Sequence, residues 1–263
     1  MSFEPKVKHY RYNFFTYLTD LRLKLADKGF AFIKNDRRLL ALKNKHFQQR
    51  AFVIGNGPSL KKTNLKLLKN EITIASNKIY LKKDFHPTYY TVEDQLLAMQ
   101  FYKQINKVTS TTKLFPQDLK RLGIKSDKNT IFFRLLHQYP NYPQFQPNAL
   151  KSLYSGGTIT YTNLQLALYM GIKEVYLIGV DFDYGSLDKA SGDYLINSRE
   201  NPYFHPQYRE HNERWNLPHL SRMKKSFKTA KMFYKNNKGI IYNATIGGKL
   251  EVFPRVKYQS LFK

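Results

Sequence analysis

The sequence predicts an α/β fold, a Rossmann-like, mostly parallel sheet with helices on both faces. Three observations predict it. From residue 51 onward, short and almost continuously apolar runs alternate with turns and amphipathic stretches. Two of the intervening stretches carry apolar residues at helical spacing. The first apolar run ends in a glycine-rich turn, the usual join between a buried strand and the next element of the chain.

Residues 1–50 read as a basic, helical N-terminal extension. Phe14, Phe15, Tyr17, Leu18, Leu21, Leu23 and Leu25 fall largely on one helical stripe, with Arg22, Lys24 and Lys28 beside it. Such a helix either packs on the main domain or binds a surface. In the main domain, residues 51–263, the strand candidates are 51–54, 72–75, 88–92, 130–133, 175–180 and 239–243. Helices are expected over 160–170, stopped by Gly171, and over 220–236. Residues 184–220, rich in aromatics and prolines, read as a lid. In a parallel sheet ligands sit beyond the carboxyl ends of the strands, so the residues just after each strand are the ones to weigh.

Composition narrows the partners. The chain has 263 residues, 42% hydrophobic and 15% aromatic, enough for a packed core. Cysteine is absent, which excludes disulfides and thiolate metal sites and suits a reducing compartment. Neither a signal peptide nor a membrane-spanning run is evident, and a cytoplasmic location is expected. The net charge of +25 fits a nucleic acid, an anionic membrane face or an anionic small substrate. No recognisable nucleic-acid module accompanies it, so no specific nucleic-acid partner is expected. A peripheral, electrostatic hold on anionic lipid is better supported, and a homo-oligomer is an allowed state.

The first strand ends in Gly55-Asn56-Gly57-Pro58-Ser59-Leu60. Glycines allow a sharp turn and bring backbone N–H groups near a ligand, and Asn56 offers an amide to a ribose or phosphate. The string is neither a dinucleotide fingerprint nor a P-loop. The second strand ends in Ser76-Asn77-Lys78 and the third in Glu93-Asp94-Gln95, whose acids suit magnesium, a sugar hydroxyl or a helix cap. Ser155-Gly156-Gly157-Thr158 precedes a helix and could receive a carboxylate or phosphate, or simply cap it. The fifth strand runs into Asp181-Phe182-Asp183-Tyr184, a weak magnesium pair; Asp181 serves equally well as a structural acceptor. Among the histidines, His205 lies in the aromatic loop and His219 at the start of the 220–236 helix. The positive end of that helix favours a neutral imidazole, which suits a base.

Two of these blocks, Phe52 to Leu60 and Ala167 to Asp183, resemble bacterial sialyltransferases of glycosyltransferase family forty-two. Together with Ile241 to Thr245 and the tail to Arg255, they also resemble a broader bacterial set related to 6-hydroxymethylpterin diphosphokinase. The resemblance covers roughly residues 50 to 258. It implies a single-domain variant of the glycosyltransferase GT-A-like fold, with 51–263 as a nucleotide-sugar-binding catalytic domain. It further implies inverting transfer of a nonulosonic sugar from a CMP-sugar donor to a glycan or glycolipid acceptor at the inner membrane face, with no cofactor required.

On that resemblance Gly55, Asn56, Gly57, Ser59, Asn77, Asp181 and Tyr184 fall to the donor nucleotide. Thr91, Asp94, Ser155, Gly156, Gly157 and Thr158 fall to the donor sugar, and His219 or His205 to the general base. One departure stands out. The sialyltransferases place a tyrosine where this chain has Asp183, and Tyr184 or Tyr194 would have to supply the phenol. That departure keeps a magnesium-dependent pyrophosphokinase as the alternative, with Asp183, Asp181 and Asp94 around the metal. A non-catalytic nucleotide- or glycan-binding protein is the third reading.

Overall fold

The computed structural model describes residues 17–108, 112–137, 143–184, 194–196, 203–210, 213–216 and 218–262. Its sheet strands in chain order are β1 (Arg50–Ile54), β2 (Ile72–Ser76), β3 (Tyr89–Thr91), β4 (Thr112–Pro116) and β5 (Thr130–Phe133). Two short pairs, β6 (Leu135–Leu136) with β7 (Leu153–Tyr154) and β9 (Tyr194–Ile196) with β10 (Arg214–Asn216), stand apart from it. The sheet is completed by β8 (Glu174–Ile178) and β11 (Ile240–Asn243). Seven strands run in the order β11-β8-β1-β2-β3-β4-β5, and every neighbouring pair is parallel. The predicted architecture is the one observed.

Alternation along the strands makes two cores. Ala51 and Val53 of β1 point into one, Phe52 and Ile54 into the other. On the first face lie helix α1 (17–27), α2 (Lys34–Leu40), α4 (Ile159–Tyr169) and α5 (Leu220–Asn236). They contribute Ala26, Leu39, Leu164, Ala167, Phe227 and Ala230. On the second face α3 (Gln95–Lys107) presents Leu97, Ala98, Phe101 and Ile105. Every residue of α4 is buried, as a helix wedged between sheet and neighbours must be. The strands expected at 175–180 and 239–243 are shorter, because β8 ends at Ile178 and β11 begins at Ile240.

The described part of the N-terminal extension is packed on the sheet. Asn35 completes β5 as a neighbouring strand would: its Nδ2 donates to the Phe132 carbonyl at 2.8 Å and its Oδ1 accepts from the Phe132 N–H at 2.8 Å. Arg38 donates to the Thr130 carbonyl at 2.6 Å, and the Tyr169 hydroxyl donates to the Leu39 carbonyl at 2.9 Å. The outer edge strand is thereby covered rather than left as a template for another chain. Phe14 and Phe15 lie outside the described residues.

Of the expected lid, residues 184, 203–210, 213–216 and 218–220 are described with their side chains, and the side chain of Tyr194 is outside that set. This segment is fastened over the carboxyl edge of β1 and β2. The Phe204 N–H donates to the Asn56 carbonyl at 3.0 Å. Glu213 accepts from Lys78 Nζ at 2.7 Å and from Arg209 Nη1 at 2.6 Å, with Lys78 and Glu213 each 1% exposed. Lys78 Nζ also stands 3.4 Å from the Phe101 ring centroid. Removing one member of a buried ion network leaves its partners uncompensated, at about 3–5 kcal/mol. Glu213→Ala should lose stability of that order in urea unfolding. Lys78→Met should lose less, because Glu213 keeps Arg209; equal losses would mean that Glu213 does not hold the segment in place.

Candidate functional site

The chain lays down β1 to β5 outward in one direction and then returns to place β8 on the other side of β1. Crevices open at such a reversal, beyond the carboxyl ends of the two diverging strands. Here a cleft of about 1060 Å³ opens there, lined by Gly55, Asn56 and Gly57 after β1, Asn77 after β2, Glu93 and Asp94 after β3, and Gly179 to Tyr184 after β8. The N-termini of α4 (Gly157, Thr158) and α5 (Pro218, His219, Arg222) form its far wall.

The glycine turn is built for close approach. A side chain on Gly55 would strike the Gly179 carbonyl, and one on Gly57 would strike the Asp181 carboxylate. Both strand ends are tied together: Gly55 N–H donates to the Ile178 carbonyl at 2.8 Å and Gly57 N–H to the Gly179 carbonyl at 2.9 Å. Beneath the turn Asp181 accepts from the Ser59 N–H at 3.2 Å and from the Ser59 hydroxyl at 2.7 Å. Burial raises the Asp181 carboxyl above its ordinary range, while the two Ser59 bonds pull it back. The expectation of an open cradle of turn amides is thus corrected. The amides of Gly55, Gly57 and Ser59 are consumed internally, and Ser59 with Asp181 braces the turn.

What the turn does offer is a side chain. Asn56 donates its Nδ2 to the Ser76 carbonyl at 3.1 Å, which leaves Oδ1 buried with no partner. Asn77, one strand over and held at φ 54°, likewise has a buried, unpartnered Oδ1. Its carbonyl accepts from the Tyr90 hydroxyl at 2.6 Å. An amide oxygen is an acceptor only, so these two positions suit hydroxyl or amino groups of a ligand rather than its phosphates.

Groups suited to an anion lie across the cleft. Two helices of 11 and 17 residues start there, and the first turn of each lacks an acidic residue. Thr158 caps α4 by accepting from Thr160 N–H at 3.4 Å, as the capping alternative expected, yet it also lines the cleft. The first turn of α5 has no side-chain cap, and Arg222 lies within it. Unpaired N–H groups and the aligned peptide dipoles make both ends favourable for negative charge.

The two histidines separate. His219 lines the cleft at the head of α5. His205 is not among the lining residues; its Nδ1 accepts from Gln207 N–H at 3.1 Å and caps the short turn Pro206–Tyr208. Thr91 is fully buried and donates to Asn163 Oδ1 at 2.8 Å, so it positions α4 instead of facing the cleft. Gly156 presses against the Tyr161 ring and its carbonyl accepts from Ser226 Oγ at 2.8 Å. Ser155, Gly157 and Tyr184 line the cleft, and burial pushes the Tyr184 phenol upward. Asp94 caps α3, accepting from the N–H groups of Leu96 at 2.9 Å and Leu97 at 3.2 Å.

The fit of magnesium can be tested on these residues. Asp181 is engaged by Ser59, and Asp183 forms an ion pair with Lys249 at 2.9 Å. Among the described residues no three His, Cys, Asp or Glu side chains are grouped to hold a metal ion. Each of the two acids thus already has a partner within the chain, Ser59 for Asp181 and Lys249 for Asp183.

Residues that sequence reasoning did not single out fill the remaining wall. Arg209 is sandwiched, 4.6 Å from the Tyr203 ring centroid and 4.2 Å from that of Trp215, and it donates to the Tyr203 hydroxyl at 2.6 Å. Arg209 Nε and Trp215 Nε1 are buried without partners. The aromatic density of this loop was visible in the sequence, but its dependence on Lys78, 135 residues away, was not.

Glu93 is the cleft carboxyl raised to near neutrality. Burial pushes its carboxyl up to about 7, against the hydrogen bond from Thr162 Oγ1, with Asp94 and Asp118 adding repulsion. A raised carboxyl stabilises the folded state while it stays protonated. That stability is full below about pH 4.5 and lost as pH climbs to about 7. Glu93→Gln should therefore gain up to about 3 kcal/mol over the parent at pH 8 and show little advantage at pH 5. Thermal unfolding across that pH range measures it; a pH-independent difference would refute the assignment.

Comparison with known proteins gives a family and a structural likeness. No curated protein matches the sequence. The sialyltransferase CstII from Campylobacter jejuni, solved with the substrate analogue cytidine-5'-monophosphate, is 13% identical with a TM-score of 0.47, covering 80% of this chain and 85% of that one. Its structure with CMP-3FNeuAc is 15% identical with a TM-score of 0.44, covering 80% and 86%. The family model described as 6-hydroxymethylpterin diphosphokinase MptE-like matches residues 28–186, more than half of the sequence. The chain belongs to the 6-hydroxymethylpterin diphosphokinase MptE-like family.

Proposed function

We propose that this protein is a group-transfer enzyme whose cleft binds an activated nucleotide, and that the group moved is a sialic-acid-like (nonulosonic) sugar from a CMP-activated donor. The observation that carries the reading is the division of the cleft into two chemistries. The unpartnered Asn56 and Asn77 oxygens suit a nucleoside's hydroxyl and amino groups. The N-termini of α4 and α5, with Arg222, suit the donor's phosphate and the sugar's carboxylate. A glycan or glycolipid hydroxyl is the proposed acceptor, presented at an anionic inner membrane face.

In the transfer, His219 takes the proton of the acceptor hydroxyl as that oxygen bonds to the anomeric carbon. The bond from that carbon to the phosphate oxygen breaks, and CMP leaves with the electron pair. Inversion results from attack opposite the leaving group. Tyr184 and the helix N-termini stabilise the charge gathering on the departing phosphate. His219 is preferred to His205 because it lines the cleft while His205 Nδ1 caps its own turn.

Family membership favours a second reading, diphosphoryl transfer from ATP to an alcohol, with magnesium carried in on the nucleotide. Thermal shift against CMP, a CMP-linked nonulosonic acid and ATP, each with and without magnesium, separates the two. A site saturated a hundredfold above its Kd gains about 2.7 kcal/mol, a shift of several degrees. CMP should give that shift without magnesium. In a radiolabel transfer assay His219→Ala should lose turnover by about a hundredfold or more while keeping the CMP shift. A shift with ATP and magnesium only would replace the first reading by the second.

A further inference from the structure

We propose that the loop at 28–33, with the adjoining face of α1, docks the protein onto an anionic phospholipid surface. The fold forces this loop to show its apolar side chains. α1 ends in a left-handed cap at Gly29 (φ 98°), with Gly29 N–H donating to the Ala26 carbonyl at 3.0 Å and Phe30 N–H to the Leu25 carbonyl at 2.9 Å. Ala31 then packs against the core. With Ala31 turned inward and the helix end fixed, Phe30 and Phe32 are driven outward, 62% and 69% exposed, followed by Ile33 at 41%. Tyr17, Leu18 and Leu21 are exposed on α1. Such a concentration of large apolar side chains on one short segment marks an interaction surface rather than scattered surface residues.

Charge decides the occupant. The three acids between residues 17 and 50 are each neutralised: Asp20 by Arg134 at 3.0 Å, Asp27 by Lys43 at 2.7 Å and Asp36 by Arg22 at 3.0 Å. Lys24, Lys28, Lys34 and Arg37 are exposed around the loop and form no ion pair among the described residues. The preceding residues add Lys6, Lys8 and Arg11 against Glu4. A second copy would bring the same excess of positive charge, +25 for the chain, and be repelled. An anionic bilayer accepts both parts, with aromatic side chains at headgroup level and lysines against lipid phosphates.

The test does not depend on the catalytic reading. The full chain is sedimented with phosphatidylcholine vesicles and with vesicles of phosphatidylcholine plus phosphatidylglycerol, at low and high salt. Binding to the mixed vesicles alone, weakened by salt, is expected. Phe30→Ser with Phe32→Ser, and separately Lys28→Glu with Lys34→Glu, should each weaken it by about tenfold or more. Circular dichroism checks that these surface variants fold. No binding to mixed vesicles, or undiminished binding by the Phe30→Ser/Phe32→Ser variant, overturns the proposal. So does a parent dimer, measured by light scattering, that this variant converts to monomer.

Discussion

Everything at the carboxyl edge of this sheet depends on how closely the ends of β1 and β8 approach each other. Main chain meets main chain there: Gly55 leaves no room for a side chain beside the Gly179 carbonyl. That approach puts the Asp181 carboxylate directly under the next turn, where it takes both Ser59 donors. The turn so fixed holds Asn56 in a single setting. Its carbonyl receives the Phe204 N–H and its side-chain amide reaches the Ser76 carbonyl. One contact between two glycines is therefore propagated into the orientation of an asparagine oxygen, and orientation is what a binding group needs.

The opposite wall is set by different physics. Lys78, Arg209 and Glu213 are charged groups taken out of water, and burial lowers the Lys78 ammonium against the upward pull of Glu213. A buried network of this kind is weak evidence for stability, since an apolar replacement of similar volume often serves as well. Its evident effect is placement. It joins the end of β2 to residues 209 and 213, and thereby seats Tyr203, Tyr208 and Trp215 along the cleft. The cost of burying the charges is accepted where the cleft has to be shaped, and Arg209 and Trp215 retain unpartnered nitrogens there.

Legibility in the sequence followed burial. β1, β2, β5 and β8 are apolar runs with both faces covered, and α4 and α5 have helical spacing with clear ends, so all six could be read directly. β4, with the sequence TKLFP, could not: it contains Lys113, which is buried only because it pairs with Asp127, and it closes on Pro116. α3 becomes legible once Asp94 is taken as its N-cap. At the site, position relative to the strands was readable and the use of individual atoms was not. Asn56, Asn77, Thr158 and His219 fell on the cleft. Ser59, Thr91 and Gly156 have the same polar or flexible character in sequence, yet their groups are taken up by Asp181, Asn163 and Ser226. Which partner consumes a hydrogen-bonding group is decided by chain segments 70 and more residues away.

Asp183 is an acid standing near the proposed phosphate seat. Alone it would repel an anion. The tail after β11 changes that, because Lys249 N–H donates to the Asp181 carbonyl at 2.7 Å and so brings its ammonium to Asp183. The pair is open to solvent, 72% for Lys249 and 39% for Asp183, so it adds little to stability. Its local effect on charge is larger, since it cancels a negative group at the cleft mouth while the dipoles of α4 and α5 remain positive. An anionic ligand can then be received by helix ends and Arg222, with Lys249 supplying the compensation that a cation would otherwise have to bring.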